Sequence, residues 1–182
     1  IISLLCFLLA ALAGQARTRV NFDADWLFQL GDDSTMAAPA YDDSGWRRLS
    51  LPHDWAIEGD FYVGNPSGAS GGALPGGVGW YRKHFRLAAG RSDERVTITF
   101  DGVYMNATVY VNGHALGTRP YGYSTFEYDI TPYIDRTGEN VLAVRVDNSD
   151  QPNSRWYSGC GIYRHVWLTT SSPLRVAQWG VH

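Results

Sequence analysis

The chain has 182 residues and a formal net charge of -3, enough for one domain with a well-filled core or two small ones at most. Charge is nearly balanced, Lys83 is the only lysine and no Lys/Arg run occurs, which excludes the basic surface that a nucleic acid would need. Aromatics make up 14% of residues, with seven Trp and eleven Tyr, an excess that suits a β-rich core, a carbohydrate platform, or both.

Residues 1–13 are apolar apart from Ser3, about the length of a signal-peptide core and too short to span a bilayer comfortably. Ala11-Leu12-Ala13 fits a small-x-small cleavage site, and Gly14-Gln15-Ala16 offers a second. Neither Met nor a basic segment precedes the run, so residues 1–16 read as a partial signal peptide, with a membrane anchor as the rival. Export to the periplasm or the exterior is expected, with no membrane contact after cleavage. Removal of this segment takes Cys6 with it and leaves Cys160 without an intrachain partner. Cys160 could be a nucleophile if a neighbour activated it, or a small buried residue. Without a second signature, burial is the expectation.

The rest of the chain reads as short strands parted by Gly, Pro, Asn and Asp. Residues 20–30 and 81–87 supply two. Residues 95–100 alternate cleanly, with Val96, Ile98 and Phe100 on one face. Residues 108–111 lead into Asn112-Gly113, the strongest short hairpin signal, and 114–117 return. Thr131-Pro132 signals one helical turn, a capping hydroxyl followed by proline at the first helical position. Residues 141–146 and 163–169 complete the set. Residues 31–50 and the Gly- and Pro-rich 59–79 read as long connections. Short strands at this spacing predict an all-β fold, a jelly-roll β-sandwich over 17–172, with Trp80, Phe100, Val109, Val144 and Trp167 between its sheets. Residues 173–182 then read as a linker into a further domain.

The block Asn153-Ser154-Arg155-Trp156-Tyr157-Ser158-Gly159-Cys160-Gly161-Ile162-Tyr163-Arg164 concentrates guanidinium, indole, phenol and glycine. Such groups suit a sugar ring, which has an apolar C–H face and a rim of hydroxyls. From composition alone a Gly-rich hairpin corner with its aromatics packed inside is the preferred reading. His53-Asp54 could pair as base and orienter, but neighbours on an extended segment point oppositely. Asp147-Asn148-Ser149-Asp150 could hold a hard cation, and turn chemistry explains the same residues without one. No residue pattern calls for a cofactor.

Blocks in order carry a resemblance over most of the chain. They include Tyr41-Asp42-Asp43-Ser44-Gly45-Trp46, Leu51-Pro52-His53-Asp54-Trp55, Leu74-Pro75-Gly76-Gly77-Val78-Gly79-Trp80-Tyr81, Tyr121-Gly122-Tyr123-Ser124-Thr125-Phe126 and the block from Asn153 to Arg164. Together they resemble the N-terminal sugar-binding domain of family 2 glycoside hydrolases, nearest to exported bacterial β-galactosidases. The resemblance implies a galactose-binding-domain-like jelly roll lining a cleft, completed by an immunoglobulin-like domain and a (β/α)8 barrel that carries both catalytic glutamates. A β-galactoside-like carbohydrate is the implied ligand, with Arg155 and Trp156 as principal contacts and Asn153 and Asn148 as hydroxyl partners. Some members hold a metal through an acidic residue where this chain has Ser154, and contact sugar through an Asn where it has Gly76 and Gly77, so neither role carries over. A free-standing carbohydrate-binding module or lectin, and a purely structural domain, are the competing readings.

Overall fold

The computed structural model describes residues 17–90, 92–176, 178 and 180. The export-signal reading and Cys6 lie outside them. Among the described residues ten strands form two antiparallel sheets, and the only helical elements are single 3-10 turns. The strands are β1 (Arg17–Asn21), β2 (Trp26–Leu30), β3 (Arg47–Leu49), β4 (Gly77–Phe85), β5 (Arg95–Phe100), β6 (Ala107–Val111), β7 (His114–Arg119), β8 (Phe126–Asp129), β9 (Asn140–Asn148) and β10 (Val166–Ser171). One sheet has the order β1-β10-β5-β8 and the other β3-β2-β4-β9-β6-β7.

Alternation builds the core between them. Val96, Ile98 and Phe100 of β5, Val109 and Val111 of β6, and Leu142, Val144 and Val146 of β9 are all buried in one cluster. Phe100 stacks on Phe126 of β8 with ring centroids 5.0 Å apart. The Asn112-Gly113 hairpin forms as expected between β6 and β7, with both residues at positive φ.

Other expectations need correction. Residues 20–30 are not one strand: the chain leaves β1 through a turn in which the Asn21 side chain accepts from the Asp23 amide at 3.1 Å. It then enters the other sheet as β2. The segment expected as a long connection after β2 contains a 3-10 turn, Ser34–Ala37, and β3. This segment lies on the outer face of β4, where Met36, Trp80 and Ala143 form a second buried cluster. Trp80 is therefore buried, but outside the inter-sheet core. Beside it the fully buried Arg82 donates to Asp43 at 2.6 Å and to the Ala38 carbonyl at 3.0 Å, so its charge is paired and its donors are used. Trp167 also points outward from β10. It lies beneath the Arg19 guanidinium at 4.2 Å and donates to Asp101 at 2.8 Å, while its neighbours Val166 and Leu168 enter the core. The helical turn appears at Thr131–Tyr133, but Thr131 does not cap it. Its amide and hydroxyl both donate to Asp129 instead.

Candidate functional site

Strand β9 ends where Asp147 accepts from the amide of Ser149 at 3.0 Å and from its hydroxyl at 2.6 Å. That is the turn chemistry weighed for this segment. The chain then makes a long excursion before β10, and this excursion carries the candidate residues.

Its base is tied down at several points. Asn148, buried at the end of β9, donates to the Gly159 carbonyl at 3.0 Å and to the Cys160 sulfur at 3.0 Å. Asn153 donates to Asn148 Oδ1 at 2.7 Å and accepts from the Tyr104 hydroxyl at 3.2 Å. Gly161 exchanges two backbone hydrogen bonds with Tyr104, each 2.9 Å. On its other side the Cys160 carbonyl accepts from Trp55 and the Ile162 carbonyl from His53. Residues 160–162 thus run as an extended segment between two neighbours. Gly161 has φ +123, and a Cβ there would stand 2.8 Å from the His53 carbonyl oxygen. Only glycine accepts both constraints.

Asp54 is the second anchor. Its carboxylate accepts from the Ala56 amide at 3.0 Å, from the Cys160 amide at 2.9 Å, and from the Tyr157 hydroxyl. Burial, then Asp54 itself, raises the Tyr157 phenol well above the ordinary tyrosine range, so it stays a donor. His53 faces elsewhere. Arg47 donates to its Nε2 at 2.7 Å, which leaves the ring proton on Nδ1 facing the Tyr81 hydroxyl, also at 2.7 Å. Glu58 completes that cluster by accepting from Arg47 at 2.8 Å. The two neighbours do not form a base-orienter couple. Cys160 is buried and burial pushes its thiol up to about 12, the reverse of what a nucleophile needs.

On this braced base stands an exposed tip. Arg155 is exposed, and Trp156 is 62% exposed with its indole N–H directed to the Tyr123 hydroxyl at 3.4 Å. Of the four residues read from the sequence as sugar contacts, Arg155, Trp156 and Asn153 line one recess of about 530 Å³. Asn148 does not reach it. With 2% exposure and its amide used internally, it holds the loop rather than meeting solvent. The other walls are Tyr104, Tyr121 and Tyr123, which sequence reasoning passed over. The signal was present in Pro120-Tyr121-Gly122-Tyr123, where two aromatics flank a turn glycine with no alternating strand to bury them. Chemically the recess presents aromatic faces beside phenol, amide and guanidinium donors, a combination that matches a pyranose ring.

Comparison with known proteins identifies the family. The model of the glycosyl hydrolases family 2 sugar binding domain matches residues 20–172. The chain is similar to β-galactosidase BoGH2A of Bacteroides ovatus, at 60% identity over 91% of this chain and 20% of that protein. Among solved structures it is similar to a β-glycosidase from Bacteroides vulgatus, with 46% identity and a TM-score of 0.83 over 86% of this chain and 20% of that one. It also resembles a Bacteroides uniformis β-glucuronidase, with 30% identity and a TM-score of 0.77 over 90% of this chain and 19% of that one. The chain spans about one fifth of the length of these relatives. It belongs to family 2 of the glycosyl hydrolases and is a sugar-binding domain of that family.

Proposed function

We propose that this sugar-binding domain lines the substrate cleft of an exported, β-galactosidase-like hydrolase, with the loop tip at Arg155 and Trp156 facing the sugar. The observation that carries the reading is the contrast between tip and base. A large indole 62% exposed on a loop whose base is fixed by Asp54, Asn148 and Tyr104 has no structural use in the sandwich. It has a use as one wall of a shared cleft. Arg155 supplies several donors for sugar hydroxyls, and Asn153 adds an amide at the same recess. The pairing of β1 with β10 across the sheet supports a jelly roll over 17–172. The apolar run at 1–13 supports export.

Chemistry belongs to other domains in this reading. A retaining glycosidase needs two carboxylates about 5–5.5 Å apart, which a barrel would place, with an immunoglobulin-like domain between barrel and sandwich. The exposed run holding Ile57, Phe61, Tyr62 and Val63 supports contact with such a domain of the same protein. In the complete protein, Arg155→Ala and Trp156→Ala should each lower kcat/KM on an aryl β-galactoside about tenfold or more, near 1.4 kcal/mol. Melting temperatures should stay near wild type. Early melting of both variants, with wild-type kinetics in the folded fraction, would make the pair structural and end this reading.

A further inference from the structure

Behind the loop tip, the turn between β7 and β8 presents Tyr121 and Tyr123, 63% and 44% exposed. Their rings meet edge to face with centroids 5.7 Å apart, and Tyr123 packs against Tyr104 at 5.2 Å. The turn is held in place from below. Tyr163 donates to the Gly122 carbonyl at 2.8 Å, and a Cβ on Gly122 would collide with the Tyr104 ring. Tyr104 is itself buried and pinned to Gly161. The two exposed rings are therefore mounted on the same rigid base as the Arg155–Trp156 tip.

We infer that Tyr121 and Tyr123, over the Tyr104 floor, form a second saccharide subsite, which takes a pyranose ring of an oligosaccharide beyond the sugar met by Arg155 and Trp156. Three observations select a sugar over a covering protein domain. The two tyrosines share one concave recess with the loop tip, and its volume of about 530 Å³ falls in the range of small-molecule sites. Its aromatic faces are rimmed by hydroxyl, amide and guanidinium groups, whereas the exposed Ile57, Phe61 and Val63 side chains carry no hydrogen-bonding group of their own. Arg155 makes no hydrogen bond or ion pair with any described residue, which leaves its donors for a ligand between tip and turn. A stacked pyranose offers C–H bonds to the ring faces and hydroxyls to that rim. The proposal rests on the loop tip meeting a sugar.

The test is binding of S-linked, hydrolysis-resistant β-galactosyl mono-, di- and trisaccharides to the complete protein, followed by calorimetry. Affinity should rise about fivefold or more with the added ring, as expected for one aromatic–sugar stack. Tyr121→Ala combined with Tyr123→Ala should abolish that gain, and Tyr121→Phe with Tyr123→Phe should keep it. A wild-type protein indifferent to chain length overturns the proposal, as does an alanine pair that retains the gain. Early melting of both the alanine pair and Tyr121→Ala alone, with no length dependence, identifies the surface as a domain contact and also overturns it. Arg155→Ala separates the two readings: unchanged monosaccharide affinity defeats the loop-tip reading, while the length-dependent gain is still decided by the tyrosines.

Discussion

At the scale of single residues the clearest consequence concerns His53. Burial, with help from the Arg47 charge, holds its imidazole below the ordinary value near 6.5, against the opposing pull of Glu58 and Asp54. The folded state therefore keeps His53 neutral while the unfolded chain takes up a proton near that pH. Wherever the unfolded state binds more protons, stability rises with pH. The native state should accordingly lose stability as pH falls below about 6.5. Glu58, whose carboxyl burial would raise but the Arg47 guanidinium holds below 4.5, adds its own loss only at more acid pH. The melting temperature should drop between pH 7.5 and 5.5, and His53→Gln should flatten most of that drop. Equal slopes for wild type and variant would show that other groups set the acid limit.

At the scale of elements, the two tryptophans on strands show what alternation decides and what it leaves open. Period two placed Trp80 and Trp167 on strands but did not say which face each strand turns inward. In β4 the inward set is Tyr81 and Phe85, and Trp80 and Arg82 fall on the outer face. Trp80 is buried there because the segment around Met36, Tyr41 and Trp46 folds over it. That cover was invisible in a stretch read as connection, since its contacts to β4 are long-range. Strands β5, β6 and β9 and the hairpin between β6 and β7 were legible because β-branched residues, alternation and Asn-Gly agreed there. Strand β3 was too short to show a period, and β8, with Glu127 and Asp129 among its four residues, was not read as a strand. At the site, Arg155, Trp156 and Asn153 were legible as a cluster. Tyr121 and Tyr123 were legible only as aromatics flanking a turn glycine, and Asp54 not as an anchor, because what makes them matter is which segments they meet. The contrast predicts that Trp80→Ala costs about 3–5 kcal/mol in chemical denaturation, the usual loss for a large buried aromatic. Trp167→Ala, which removes a partly buried outward-facing ring and one hydrogen bond, should cost less, about 1 kcal/mol. Equal costs would mean the outer face of β4 is not packed as described.

At the scale of the whole molecule, every candidate contact gathers at one end of the sandwich. The segment at 53–56, the excursion at 149–162, Tyr104 and the turn at 121–123 are laced together by Asp54, Asn148 and Gly161. Among the described residues, no carboxylate lines the recess at this end. Glu58 is engaged with Arg47, Glu127 accepts from Thr99 at 3.1 Å, and Glu139 pairs with His84 at 3.3 Å. Glu94 sits just before β5. The four glutamates thus lie on separate elements and none lines the recess beside Trp156. Asp54, the acid that anchors the loop, already accepts two backbone amides and a phenol, so it cannot move to a glycosidic oxygen without releasing the loop. A retaining hydrolysis needs one carboxylate as nucleophile and one as acid/base, both free to reach the same bond. The 182-residue chain by itself should therefore release no chromophore from an aryl β-galactoside, even where it binds saccharide. Turnover that co-purifies with the chain and disappears in Asp54→Asn would place the chemistry in this domain and overturn the division of labour proposed for it.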